Sequence, residues 1–543
     1  MFVRLMSFAL LLLAAACAAP AAAPSGAPAD ETPRSGGTAT YVIRSDPPAW
    51  DIWGREKNFD PTRMTAEMVF NPLYLPAANV GEGCELKIEP ELAESWKYLD
   101  DKTIEFKLRQ GVKFHNKPPV NGREMVADDV AFMLEERFKK GLWGSGYVGQ
   151  LFYDRAEAVD KYTVRLHLKK PFNFITEFAD GHRQGWVQPK EALGPDGKEW
   201  LQQAEKSWIG TGPFVLKEVQ SGVKLVFDKN PQYFKQGKPY LDRIEALIIP
   251  DTATRLAALR SSQLDIYPAA APGVVQEIKR TNPEMFVKSC PDQFALGLHF
   301  RQDRAPYNDV RVRRALSMAL NRDVVVQNAL RGDGMAMYQL WPLDPEASKL
   351  PDFPPAARGY MEYKPEEAKK LLADAGFPRG FPMRIHWTPQ FESPWQEVAE
   401  SFVTMFRDIG IDARLEMKEY AAYLRTLSEL SYEETAFSWT NSYSMDFVGA
   451  EYYWSKRQPV NTLSLAPDAK LDGMVEELWG ARNPEKHKQL ARTLQTHTAE
   501  QSYYLLSPVW GNGVIAVPRI KNLGWRGTNK MYTPLFEQVW LAR

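Results

Sequence analysis

Apolar and polar residues alternate along two stretches in the first third of the chain. Ile104, Phe106 and Leu108 are interleaved with Glu105 and Lys107, and Val164, Leu166 and Leu168 with Arg165 and His167, which is the period of a half-buried strand. Residues 223–227 and 244–249 are denser apolar runs and predict strands covered on both faces. The period changes in the second half. Across residues 364–376, Pro365 near the start, Glu366 and Glu367 in the first turn, the face Ala368, Leu371, Leu372 and Ala375, and the closing Gly376 predict a helix. Trp395, Val398, Ala399, Phe402, Phe406 and Ile409 form a second helical stripe that stops at Gly410. Ile411, Ala413, Leu415 and Met417 then alternate with Asp412, Arg414 and Glu416, so a helix, a glycine stop and a strand follow one another. Such steps predict an α/β architecture. No internal repeat is visible.

The first residues read as targeting. Arg4 precedes a short apolar run over residues 5–16, with Leu10 to Leu13 and then Ala14, Ala15 and Ala16 leading to Cys17. This run is too short to span a bilayer, which takes about 20 residues, and it has the layout of a secretory signal. Leu-Ala-Ala-Ala-Cys also resembles a bacterial lipobox, with the leucine one position further from the cysteine than usual; on that reading Cys17 carries lipid. Ordinary cleavage after Ala-x-Ala, with Cys17 incidental, is the alternative. Residues 18–37 are Ala, Pro, Gly and polar residues without apolar period and predict a flexible spacer. Residues 1–16 are thus expected as signal peptide and 17–37 as a lipid-anchored linker, holding an extracytoplasmic body near its membrane partner at raised effective concentration.

Composition narrows the remaining classes. The chain has 543 residues, 67 Lys plus Arg against 68 Asp plus Glu, and a formal charge of -1, which leaves no net basic surface for nucleic acid. With 44% hydrophobic residues it has material for more than one core. Three cysteines make no disulfide scaffold; Cys84 and Cys290 are a candidate pair in an oxidising compartment, with two buried free thiols as the alternative. Gly144, Gly146 and Gly149 spell GxGxxG but follow a helical stretch (130–140) rather than a strand, against nucleotide binding. No GxSxG, Walker A or HExxH occurs, and the seven histidines show no metal-ligand spacing. The expectation is a non-enzyme with no cofactor and no metal.

Five stretches, in order, carry a resemblance. They are LAESWKYLDDKTIEFKLRQGVKFHNKPPVNGREMVADDVAF (92–132), IGTGPFVLKE (209–218), KNPQYFKQGKPYLDRIEALIIPDTATRLAALRSSQLDI (229–266), YNDVRVRRALSMALNR (307–322) and YKPEEAKKLLADAGFPRGF (363–381). Together they resemble family 5 extracellular solute-binding proteins, the dipeptide, oligopeptide and nickel group of bacterial ABC importers. Read residue by residue, they are scaffold. Asp128 and Asp129 predict the cap and first turn of a helix beginning near Val130. Gly210 and Gly212 predict a tight crossing where the chain changes lobes. Pro239, Tyr240 and Leu241 predict a packed turn. Asn308 or Asp309 caps a helix whose Arg311, Arg313 and Arg314 are expected in solvent.

The resemblance implies a periplasmic-binding-protein-like α/β fold (type II, large cluster C) with two lobes, a hinge and an extra domain. By that analogy residues 38–70, 200–290 and 508–543 form lobe I, 71–199 the extra domain and 291–507 lobe II. It also implies ABC permease subunits and a peptide or peptide-sized ligand as partners of a monomer. Peptide-binding members carry a W-x-x-D-Y-x-D-P type segment whose first aspartate pairs with the peptide amino group. Here the matching stretch is Trp439, Thr440, Asn441, Ser442, Tyr443, Ser444, Met445 and Asp446, with Ser442 in place of that aspartate. Asn441 and Ser442 still offer hydrogen bonds, but no full charge. The departure leaves oligosaccharides, opines, amino-acid conjugates and metal chelates open beside peptides. Trp439 and Tyr443, with Trp53, Asn71 and Trp186, complete the candidate ligand-binding set with Asp446. A secreted α/β enzyme, opposed by the missing nucleophile and metal signatures, and a chemoreceptor-coupled or chaperone-like binding protein of the same fold are the rival classes.

Overall fold

The computed structural model describes residues 32–47, 50, 52, 60–76, 88–139, 151–173, 185–194, 203–291, 294–338, 349–389, 394–429, 431–432, 434–441, 453–455, 467–528 and 531–542. In chain order its first strands are β1 (Thr38–Ile43), β2 (Tyr74–Pro76), β3 (Ile88–Pro90), β4 (Ala93–Asp100), β5 (Thr103–Leu108), β6 (Tyr153–Asp160) and β7 (Thr163–Leu168). Next come β8 (Phe214–Gln220), β9 (Lys224–Lys229), β10 (Arg243–Ile248), β11 (Ile266–Ala270) and β12 (Phe286–Pro291). Then follow β13 (Phe294–Phe300), β14 (Pro382–Trp387), β15 (Asp412–Met417), β16 (Thr435–Asn441), β17 (Tyr504–Leu506) and β18 (Gly511–Ala516).

These strands form three main sheets. A seven-stranded sheet runs β12-β18-β11-β1-β10-β9-β8, a five-stranded sheet runs β15-β14-β16-β13-β17, and a four-stranded sheet runs β4-β5-β7-β6. The first two are the sheets of two lobes and the third that of an additional domain. In the additional domain all neighbours are antiparallel. Its apolar residues Ile104, Phe106, Leu108, Val164, Leu166 and Leu168 are buried, as the alternation predicts. The opposite face is charged: Arg165 donates to Glu105 at 2.9 Å, and His167 lies 3.0 Å from Glu157.

Three expectations are corrected. β9 buries Leu225, Val226 and Phe227 in succession, but β10 alternates: Ile244 and Ala246 are buried while Leu247 and Ile248 are only partly so. The other face of β10 carries Glu245, which accepts from the Lys224 ammonium at 3.0 Å, so it is not a second core face. The helix expected near Val130 is Ala127–Lys139; Asp128 and Asp129 both lie in its first turn, and Asp129 reaches back to the Val126 N–H at 3.0 Å. Arg313 is buried rather than solvated. From the helix Val310–Met318, capped by Asp309, its guanidinium donates to the Tyr307 carbonyl at 2.7 Å and the Gln501 carbonyl at 3.0 Å. It thereby satisfies a carbonyl left over at the end of the helix Pro484–Gln501. Arg311 and Asp309 form an exposed ion pair.

The predicted helices appear as Pro365–Asp374 and Trp395–Asp408. Residues 210–212 pass so close to residues 68–70 that a Cβ on Gly210 would lie 2.1 Å from the Val69 carbonyl oxygen, and the Gly212 N–H donates to that oxygen at 2.8 Å. Only glycine fits such an approach. At the start of β1, Gly36 N–H donates to the Tyr240 carbonyl at 2.8 Å, and Gly37 packs against the Leu541 side chain.

Two buried histidines couple this packing to pH. Burial pushes His115 down to about 4 and His299 down to about 3, from an ordinary 6.5. Below pH 6.5 the unfolded chain therefore takes up protons that the folded chain refuses, and stability present at neutral pH is lost on acidification. Each histidine is expected to cost about 2 kcal/mol between about pH 7 and about pH 5. Urea unfolding at the two pH values measures the loss, and His299→Met should recover about 2 kcal/mol of it; an equal loss in the variant would count against this assignment.

Candidate functional site

Strand directions locate the cleft. β1 is parallel to β10 and β11, while β11 and β12 are both antiparallel to β18. The C-terminal ends Ile43, Ile248, Ala270 and Pro291 therefore share one edge of the seven-stranded sheet. In the other lobe β14 is parallel to β15 and β16, and β13 runs against β16 with Phe294 opposite Asn441. The chain thus leaves the first sheet at its C-terminal edge (Pro291) and enters the second at the edge where β14, β15 and β16 end. It returns from Leu506 to Gly511, which is paired with Pro291. The two C-terminal edges face each other across these crossings, where open α/β sheets place their ligands.

Side chains fix the rim and floor of this cleft. After β1, Asp46 accepts from the Ser221 hydroxyl at 3.0 Å and the Gly222 N–H at 2.8 Å, pinning the segment to the β8–β9 turn. Trp50 packs edge-on against Trp208 at 4.9 Å, and its carbonyl accepts from the Trp208 indole at 3.1 Å. In the return crossing, Ser507 N–H donates to the Leu296 carbonyl at 2.8 Å, and Val509 exchanges two backbone hydrogen bonds with Met335. Trp510 packs at a tilt against Trp395 with ring centroids 4.0 Å apart. Trp395 begins the helix that follows β14, so this pair sits where the crossing meets the C-terminal edge. Sequence reasoning missed it: Trp395 was legible only as part of a helical stripe, and Trp510 lies in no periodic pattern.

Trp439 and Asn441 lie on β16, opposite Leu296 and Phe294, at the C-terminal edge of the central region of the second sheet. Ser442, Tyr443, Asp446, Trp53, Cys17 and Cys84 lie outside the described residues. Cys290 is on β12, opposite Asn512. Asn71 and Trp186 are brought together away from β16: Pro72 is bridged to Trp186, and Val187 N–H donates to the Asn71 carbonyl at 3.1 Å. Both are buried, at 4% and 1% exposure.

Asn71 is the centre of a polar network between lobe I and the additional domain. Its amide donates to Glu91 at 2.8 Å and Tyr233 at 3.4 Å, and its oxygen accepts from Thr211 at 3.0 Å. Tyr233 donates to Glu537 at 2.5 Å, and the Lys235 ammonium bridges Glu91 at 2.8 Å and Glu537 at 3.0 Å. Burial, with the Glu537 and Glu91 charges, raises the Tyr233 phenol well above its ordinary range. Among the described residues no group of three or more His, Cys, Asp or Glu is placed to hold a metal ion, and no helix is long and apolar enough to cross a membrane.

Two lobes on a double crossing, with a third domain on one lobe, define the solute-binding class of α/β fold. Residues 87–461 match the model of bacterial extracellular solute-binding proteins, family 5 (middle), and the chain belongs to that family. Among curated relatives, a dipeptide-binding protein of Escherichia coli is 26% identical over 71% of this chain and 74% of its own length. Heme-binding protein A of Haemophilus influenzae is 25% identical over 77% and 78%. Among solved structures, the fold is shared with Helicobacter pylori DppA in complex with peptide STSA (TM-score 0.74, 22% identity, 94% of this chain and 99% of that one). It is shared too with AgaA in complex with agropinic acid from A. tumefacien R10 (TM-score 0.72, 22% identity, 93% and 99%).

Removing the Asn71 side chain takes one hydrogen bond from Glu91, which keeps the Lys235 ammonium, and one from the Thr211 hydroxyl. Asn71→Ala is expected to lower stability by about 1–3 kcal/mol, measured by chemical denaturation; a change below about 0.5 kcal/mol would show that the network does not need its amide.

Proposed function

We propose that this protein is a lipid-anchored, extracytoplasmic receptor that captures peptides or peptide-sized polar solutes between its lobes and delivers them to the permease of an ABC importer. The observation that carries this reading is the facing of the two C-terminal sheet edges across the crossings, with the end of β16 opposite the start of β13. Family membership and the peptide-binding relatives support it. On this reading residues 38–70, 200–290 and 508–543 are lobe I, 71–199 the extra domain and 291–507 lobe II. Residues 1–16 are the signal, Cys17 carries the lipid and residues 17–37 are the leash. Capture needs no covalent chemistry, because a solute that binds the shut form better than the open form shifts the population by that difference alone.

On this reading Trp439, Asn441, Ser442, Tyr443, Asp446, Trp53, Asn71 and Trp186 are the ligand-binding residues. Ser442 is the residue that favours a second reading. Without a carboxylate there, the ammonium of a peptide loses its strongest anchor, and an opine or a metal chelate becomes the alternative cargo. Relatives named for agropinic acid and heme keep that alternative within the family.

Mass spectrometry of small molecules released on denaturing the purified protein separates the two. A ladder of peptides is expected from the first reading; a single opine, sugar or chelate would replace it with the second. Trp439→Ala should weaken binding of the released solute by about 1–3 kcal/mol without unfolding the protein, and unchanged affinity by calorimetry would remove Trp439 from that set. Ser442→Asp should strengthen binding of peptides with free amino termini; no gain would break the proposed correspondence with the W-x-x-D segment.

A further inference from the structure

The lobes are joined by more than the two crossings. Phe152, Lys170 and Phe172 of the additional domain meet Trp454 and Trp479 of the second lobe. Trp479, on the helix Ala469–Gly480, stands edge-on to Phe152 at 4.8 Å and Phe172 at 6.3 Å. The Lys170 ammonium lies 4.9 Å from the Phe152 ring, 4.7 Å from Trp454 and 5.1 Å from Trp479. Just beyond, the Arg482 guanidinium lies 4.3 Å from the Tyr98 ring centre and donates to the Asp101 carbonyl at 2.8 Å. A cavity of about 280 Å³ is lined by Tyr98, Asp101, Asn173, Ala481 and Arg482.

Each side of this patch is fastened to a different lobe. The additional domain is held to lobe I through the His115 N–H on the Gly210 carbonyl at 2.8 Å, the His115 ring 3.1 Å from the Gly212 carbonyl, and Lys117 on the Leu216 carbonyl at 3.2 Å. The Trp479 side is held to the second lobe through Arg313 on Gln501 and Arg314 on Glu500, and through Tyr453 against Tyr504 at 5.7 Å. A rotation of the lobes about the crossings therefore has to part the patch.

We propose that this patch is a clasp: the additional domain grips the second lobe when the cleft is shut, and Lys170, Trp479 and Arg482 set the shut fraction as positioning residues. The grip is moderate by construction. Three rings face one ammonium, a favourable contact once desolvated, whereas the Arg482 Nε and Nη1 donors are buried without a hydrogen-bond partner and regain water when the clasp parts. Opposed contributions of this kind keep two states within reach of a ligand's differential affinity. The proposal rests on the lobes opening about the crossings, and its test requires no choice of solute.

Small-angle X-ray scattering of the protein stripped of bound solute by unfolding and refolding reads the shut fraction directly. Lys170→Met keeps the length of the side chain and removes its charge, and is expected to lower the shut-to-open ratio about five-fold, seen as a larger radius of gyration at an unchanged unfolding midpoint. Identical scattering from the parent and the variant would overturn the clasp. A lowered unfolding midpoint with unchanged scattering would assign Lys170 to stability alone and also overturn it. Trp454→Leu, which removes one of the rings facing the ammonium, supplies the same comparison if Lys170→Met does not fold.

Discussion

The direction in which the chain crosses between its two large sheets constrains everything else in this molecule. Pro291 and Phe294 belong to C-terminal edges of different sheets, and Leu506 and Gly511 lie on the return path beside them. Had either crossing joined opposite edges, the ends of β1 and β16 would point apart and no enclosed space would lie between them. Because both join like edges, the loops that vary most freely in such folds are brought face to face. Backbone pairing does this work, and it tolerates a wide range of side chains. That is consistent with relatives near one quarter identity keeping the whole fold.

Polar groups buried at the seams then fix how the parts sit. Arg313 closes the end of a helix far away in sequence, and the Asn71, Glu91, Tyr233, Lys235 and Glu537 network joins three segments. Such networks contribute little net energy when complete and cost much when broken, so they select one arrangement over near neighbours more than they stabilise it.

What the sequence disclosed follows this division. Local period was legible: β5, β7, the helix Trp395–Asp408 and β15 all stand where alternation or a helical stripe placed them. Close backbone approach was legible at Gly210 and Gly212, since two glycines ahead of a proline invite it. Arg313 was misread because its partners are carbonyls at the end of another helix, and no charge pattern reveals a carbonyl. The helix at Ala127–Lys139 began earlier than expected because Asp129 serves as the residue that reaches back, not as the cap itself. Of the candidate ligand residues, Trp439 and Asn441 fall at the edge where the two sheets meet, while Asn71 and Trp186 are joined to one another away from β16. The Trp395–Trp510 pair left no trace in the sequence, since contacts between distant segments have no period.

One further consequence lies at the beginning of β1. Gly36 and Gly37 are bound to Tyr240 and Asp242 and pressed against Leu541, so residues 36–37 and the short strand Trp540–Leu541 share a single spot at the N-terminal edge of the seven-stranded sheet. Tension applied through residue 36 or residue 541 is borne within one lobe and passes through neither crossing. The molecule can be held by either end without loading its own hinge, and a body held this way presents its mouth on the side away from the point of suspension.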